Sequence, residues 1–233
     1  MLYSLEQLRG VEASAPDGIF ELAHTFGAIV DDPEFPCIFS SAPFLRHEIF
    51  FGLAEDEAPE CVVPLLKELC DRFADTPDAV GVIFVPQSPD ATLEDDFELA
   101  RAIVRSVGEQ NELDGNADGF PEPGEADWRL RLNRIELFVN FSSPRHQKRR
   151  SRNVGPCFTL VVQARSSFDK PAFRSAKGRG EIRQRLAVYD SVTPHPSLGD
   201  HRDPDDHDEL HFFLGDGHQP MDVTGAGGSR TRP

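Results

Sequence analysis

One histidine and a dense set of arginines follow directly on an apolar stretch: Leu137-Phe-Val-Asn-Phe-Ser-Ser-Pro-Arg-His146-Gln-Lys-Arg-Arg-Ser-Arg-Asn153. Neutral imidazole is a common axial ligand for haem iron. Arg149, Arg150 and Arg152 carry planar forks that match carboxylates bidentately, as the two propionates of haem require. These residue types suit a metal porphyrin, with His146 on the iron and Phe138, Phe141 and Phe158 as an apolar wall. Three arginines exceed the need of one haem, so at least one is expected to pair with structural carboxylates, and Asn153 is expected to tie down the loop backbone. Composition alone equally allows a solvated basic loop with a surface histidine. Cys37 is the rival ligand, because a thiolate favours oxygen–oxygen cleavage by electron push. Its setting, Phe-Pro-Cys-Ile-Phe, reads equally well as a buried apolar cysteine.

A second chemistry is written in His207-Asp-Glu-Leu-His211, with His218 beyond it. Two histidines at i and i+4 approach a zinc-hydrolase motif, which needs both imidazoles on one helix face and a glutamate between them. Here Asp208 stands in the glutamate's place, a methylene short, and the flanking Phe-Phe-Leu-Gly reads as strand and turn. The Asp203-Pro-Asp-Asp-His-Asp run lacks the central Gly and terminal Glu of a calcium loop. Phosphate-binding and nucleophile-elbow motifs are absent from the sequence. His195, before a proline, reads as structural.

The charge is uneven. Residues 1–127 hold 6 Lys+Arg against 28 Asp+Glu, whereas residues 128–186 hold 15 against 3, within a net charge of −16. A basic segment inside an acidic chain points to a held anion rather than to nucleic acid, which the acidic half would repel. Cys37, Cys61, Cys70 and Cys157 form no CxxC pair and are expected to be reduced. No apolar run reaches the roughly 18 residues a membrane span needs, and the N-terminus lacks a basic start followed by an apolar core. The expectation is a cytoplasmic protein with no membrane partner.

The elements that must position these residues follow from periodicity. Residues 58–74 place Val62, Leu65, Leu66, Leu69 and Phe73 at helical spacing. Val80 to Val85 reads as a buried strand ended by Pro86. Thr92 to Val107 reads as a helix opened by a Thr92/Asp95 capping arrangement, followed by a loop over 108–127. Ile135 to Phe141 and Cys157 to Ala164 read as strands around the basic loop. Residues 179–190 read as an amphipathic helix, 194–208 as a loop, and Leu210 to Leu214 as a last short strand. Residues 3–9 read as the start of a short helix, and Asp31 to Pro36 as a turn. Helices and strands without βαβ periodicity predict an α+β fold, a mixed sheet flanked by helices in a single domain over residues 1–214. Residues 215–233, poor in apolar side chains, are expected to be a disordered C-terminal tail.

Phe138-Val-Asn-Phe-Ser-Ser-Pro-Arg-His146 followed by Arg149-Arg-Ser-Arg-Asn153 resembles the central motif of the YqcI/YcgG-type family of haem-dependent N-oxygenases. Further segments match in order: Asp32-Pro-Glu-Phe-Pro-Cys37, Trp128, Gln163-Ala-Arg165, Phe168-Asp169, Gly178-Arg179, Ile182-Arg183, Leu186, Tyr189-Asp190 and His195-Pro-Ser-Leu-Gly199. The resemblance spans roughly residues 30–214 and is looser over Leu210 to Leu214. It implies haem b as cofactor, with His146, Arg149, Arg150, Arg152, Asn153 and Cys37 as candidate binding residues. It also implies N-oxygenation of a small amine or guanidine, using dioxygen or peroxide and an external electron donor. A non-catalytic haem-binding or sensing protein is the alternative in another class.

Overall fold

The computed structural model describes residues 1–10, 15–37, 48–116, 119–125, 127–169, 176–198 and 207–225. Six strands form one sheet: β1 (Tyr3–Ser4), β2 (Ile49–Leu53), β3 (Val80–Val85), β4 (Leu130–Leu132), β5 (Ile135–Ser142) and β6 (Phe158–Ala164). Their order is β1-β2-β3-β6-β5-β4. Only β2 and β3 pair in parallel; the other neighbours are antiparallel. Among the described residues the helices are α1 (Leu5–Gly10), α2 (Ile19–Val30), α3 (Val63–Arg72), α4 (Leu93–Leu113), α5 (Ala176–Tyr189) and α6 (Glu209–Phe212). This is the mixed-sheet, single-domain α+β architecture that the element pattern predicts.

Strand alternation assigns the two sheet faces. On one face Ile83, Val85, Leu137, Val139, Phe141, Phe158, Leu160 and Val162 pack beneath α3 and α4 in the larger core. Gly81 lets α3 lie close, because a Cβ there would run into the Leu69 side chain. On the opposite face Phe51, Val82 and Phe84 pack under Ile19, Ala23, Phe26 and Val30 of α2. That second cover stops at β3, and the continuation of the same face over β6 and β5 carries the site.

The helix expected over 58–74 is a 3-10 turn, Pro59–Cys61, leading into α3. Helix α4 opens with the expected capping box: the Thr92 hydroxyl accepts from the Asp95 N–H (3.2 Å), and Asp95 accepts from the Thr92 N–H (2.7 Å). It runs six residues beyond Val107, so the expected loop begins later. Glu109, Gln110 and Glu112 are good helix formers, Asn111 continues the buried stripe, and a Lys67–Asp114 ion pair (2.7 Å) fixes the end.

Two further differences lie near the C-terminus. Leu210 to Leu214 is not a strand: α6 ends at Phe212 and the chain continues extended. Phe212, Phe213 and Leu214 are all buried, Phe212 beside Trp128 and Phe138, and Phe213 beside Phe97. A run buried on successive residues packs as a plug and has no exposed alternate face to present. Residues 215–225 differ from the expected free tail. Asp216 bonds back to residues 146–149, and Val223 is buried. Residues 226–233 lie outside the described residues.

Candidate functional site

The inner strands β5 and β6 are apolar on one face and mixed on the other. Their second face carries Phe138, Asn140 and Ser142 against Gln163, Val161 and Thr159 in register. A cavity of about 290 Å³ lies over this face. Its walls are Phe26 and Val30 of α2, Phe35 and Cys37 of the turn after it, and Ile182 and Leu186 of α5. Helix α5 buries no residue completely: Ile182 and Leu186 face this space, and Val188 is exposed. Asn140, Ser142 and Gln163 are polar groups on the floor, and the Ser142 hydroxyl donates to Asn140 Oδ1 at 3.4 Å.

The basic loop closes one end of the cavity through a 3-10 turn, Arg150–Arg152. Its anchor is Arg145, which bonds the buried Asp96 carboxylate and the backbone carbonyls of Ser88 and Ala91. The candidate arginines have three different fates. Arg149 is fully buried and donates to the carbonyls of Gly215 (2.6 Å), Thr193 (3.2 Å) and Gly217 (2.8 Å). Burial lowers its pKa, against the pull of Asp190 and Asp216. Arg150 lies over the Tyr189 ring at 4.5 Å and is exposed. Arg152 is 9% exposed, lines the cavity, and its buried Nη1 has no hydrogen-bond partner among the described residues. Burial first, and then the charge of Arg149, bring its pKa down to about 10 while Asp190 resists. Asp190 lines the same wall, but its oxygens accept the N–H and the hydroxyl of Ser151, each at 2.8 Å. Asn153 ties the loop as expected, donating to the Pro144 carbonyl at 3.1 Å.

His146 is buried but is not on the cavity lining. Its Nδ1 pairs with Asp216 at 3.1 Å, and its buried Nε2 has no partner among the described residues. Burial lowers its pKa, with Asp216 opposing and Arg152 and Arg149 adding to the fall. Cys37, by contrast, is half-buried and on the lining. Of the expected aromatic wall only Phe138 is there. Phe141 and Phe158 stack on each other in the opposite core, their centroids 5.7 Å apart, because they occupy the other phase of the strand alternation. Asn140, Gln163, Asp190 and Asp216 were not singled out as site residues from the sequence. The polar phase of β5, between Leu137, Val139 and Phe141, was the signal for the first.

The zinc alternative needs His207, His211 and His218 to converge. They do not: His207 lies before α6 and pairs with Glu209 at 2.8 Å, His211 lies beside Phe138, and His218 lies against His195. No group of three metal-ligating side chains forms among the described residues. His195 is structural as expected, facing the Gln219 carbonyl and accepting the Ser197 N–H. Burial brings its pKa to about 4.

The residues on the cavity fit a haem in kind. They offer apolar walls, a thiol among them, and a buried guanidinium with an unused donor. The volume, about 290 Å³, falls just below the roughly 300–1,000 Å³ typical of small-ligand pockets.

Residues 26–224 match the YqcI/YcgG family profile. The Streptomyces lavendulae protein named "Putative N(omega)-hydroxy-L-arginine synthase DcsA" is 35% identical over 179 residues, which cover 70% of this chain and 66% of that one. Two Bacillus subtilis (strain 168) proteins also match across 92% of this chain and 90% of their own lengths. "Uncharacterized protein YqcI" is 27% identical and "Uncharacterized protein YcgG" 28% identical. No solved structure matches the chain.

Proposed function

The chain belongs to the YqcI/YcgG family, and from that premise we propose that it N-hydroxylates a small guanidine-bearing molecule, with haem b held in the cavity by Cys37. The observation that carries the reading is one cavity lined by a cysteine, two strand amides and a buried arginine, in a chain similar to a protein named for hydroxylating the guanidine of arginine. Haem bound there would supply the activation of dioxygen, with electrons from an external donor, or of peroxide.

The protein's own part is binding and orientation. Asn140 faces Val161 across the strands, two residues from Gln163, so the two amide-bearing residues are diagonal neighbours on one face, with backbone positions roughly 7–8 Å apart. Their carbonyl oxygens can accept from two edges of a planar guanidine. The two amides add no counter-charge of their own, and the carboxylate on the same wall, Asp190, is turned to Ser151. Burial among apolar walls, with Arg149 and Arg152 nearby, then weakens the proton affinity of the guanidine, which favours the lone pair that an N-hydroxylation needs. Phe138, Val161, Ile182 and Leu186 keep water away from the reacting nitrogen.

Full-length protein titrated with haem b is expected to develop a Soret band. Supplied with reductant and dioxygen, it is expected to convert L-arginine or a related guanidine to a product heavier by one oxygen. A protein that stays colourless would remove the cofactor. A haem-loaded protein that yields no N-oxygenated product from any guanidine offered would remove the reaction and leave a haem-binding role.

A further inference from the structure

We propose that Arg152 is the carboxylate-binding residue of the cavity, the single arginine of the basic loop whose fork is reserved for a ligand. The inference builds on the functional reading above and specifies which end of the ligand the cavity grips. Three residues of similar chemistry sit within four positions, and the structure separates them. Arg149 also lines the cavity, but each of its three nitrogens already donates to a carbonyl, that of Gly215, Thr193 or Gly217. Arg150 is turned out over Tyr189. Arg152 alone is both on the cavity wall and buried with a donor unused.

A buried cation without hydrogen bonds is costly, and proteins rarely keep one without a partner. Asp190 lies near enough to offset the charge, but its oxygens are turned to Ser151 and no hydrogen bond joins it to Arg152 among the described residues. The missing group is therefore an acceptor brought by the ligand. A carboxylate answers both deficits, since it is planar, anionic and matches a guanidinium bidentately. Asn140 and Gln163 on the floor leave the other end of the ligand to a neutral or weakly basic donor group. Two sources fit this chemistry: the α-carboxylate of an amino-acid substrate, or a haem propionate.

Binding to the full-length protein separates the sources by paired probes, measured by calorimetry. L-Arginine is compared with agmatine, the same guanidine without a carboxylate, and haem b with its dimethyl ester. One pair is expected to differ by about tenfold to a hundredfold in favour of the carboxylate, the range of a partly buried charge-assisted pair. Arg152→Gln should erase that difference, while Arg150→Gln should preserve it. A difference within the arginine pair assigns Arg152 to substrate, and one within the haem pair assigns it to the cofactor. If the wild-type protein discriminates within neither pair, or Arg152→Gln leaves the discrimination intact, the assignment is overturned. The first of those outcomes does not depend on whether the variant folds. Butyrate, a carboxylate without a guanidine, separates this inference from the functional reading. If it raises the melting temperature of the wild-type protein but not of Arg152→Gln, while arginine and haem both fail to bind, the subsite stands and the N-hydroxylase reading falls. Failure of butyrate as well overturns the subsite.

Discussion

Asp216 is the hinge pin between the C-terminal segment and the basic loop, and replacing it with alanine should loosen both. Its carboxylate accepts the backbone N–H groups of Gln147 (2.8 Å), Lys148 (3.1 Å) and Arg149 (3.0 Å), and pairs with His146 Nδ1 (3.1 Å). Gln147 and Lys148 are exposed, so water can replace their bonds. Arg149 and His146 are buried, so their freed donors remain unsatisfied at about 1–3 kcal/mol each. The sum is roughly 2–6 kcal/mol, or a fall in Tm of roughly 4–24 °C for a chain of this size. The pH dependence gives a second, independent signature. Burial alone would raise the Asp216 pKa, but the N–H groups of Arg149, Gln147 and Lys148 and the His146 bond bring it below the usual 3.8. A carboxylate depressed in the fold contributes stability above its unfolded pKa and loses it as pH falls through the folded value. The gap between wild type and Asp216→Ala should be full at neutral pH and narrow in acid, read by urea unfolding across that range. Asp216→Asn, which keeps one acceptor oxygen, should fall between the two. A Tm change under about 2 °C at neutral pH, or a gap that does not narrow in acid, would refute the clamp.

Cys37→Ala should abolish haem retention or shift the Soret band of the reduced carbon monoxide complex, while His146→Ala should leave ligation intact and lower stability; the reverse pattern would return the ligand role to His146. Arg149→Ala should destabilise by about 3–5 kcal/mol, as a buried charge network is broken, and Arg150→Ala by less than about 0.5 kcal/mol; equal effects in denaturant titrations would contradict the division of labour among the arginines. His195 is neutral in the fold, with a pKa brought to about 4, whereas the unfolded chain takes up its proton near 6.5, so stability should drop as pH falls from about 6.5 toward about 4. His195→Asn should flatten that slope, and an unchanged slope would remove His195 as its source.

What the sequence conveys about this fold depends on whether a residue's role is periodic. Strands β5 and β6 are legible because an apolar phase repeats every second residue, and β3 because a short β-branched run is ended by Pro86. The Leu210 to Leu214 run differs because its four apolar residues, with His211 among them, carry no alternating phase, and burial on all sides looks the same in a strand and a plug. Apolar content is also the wrong measure for Gly215 to Gly217, which is held by carbonyls around Arg149 and by one carboxylate. The candidate site has the same asymmetry. The segment from Phe138 to Asn153 is visible as a unit, but not which of its arginines faces inward. In a 3-10 turn successive side chains point about 120° apart, so the single step from Arg150 to the Ser151–Arg152 pair separates solvent from cavity. The placement of His146 and Cys37 is equally three-dimensional: 109 residues apart in sequence, they differ in that Cys37 lines the cavity and His146 does not. A polar residue at an inward strand position is the signal that sequence does supply. Asn140 and Gln163 break an apolar pattern at positions where a core would reward none, and such a break is tolerated where something polar is meant to lie against it.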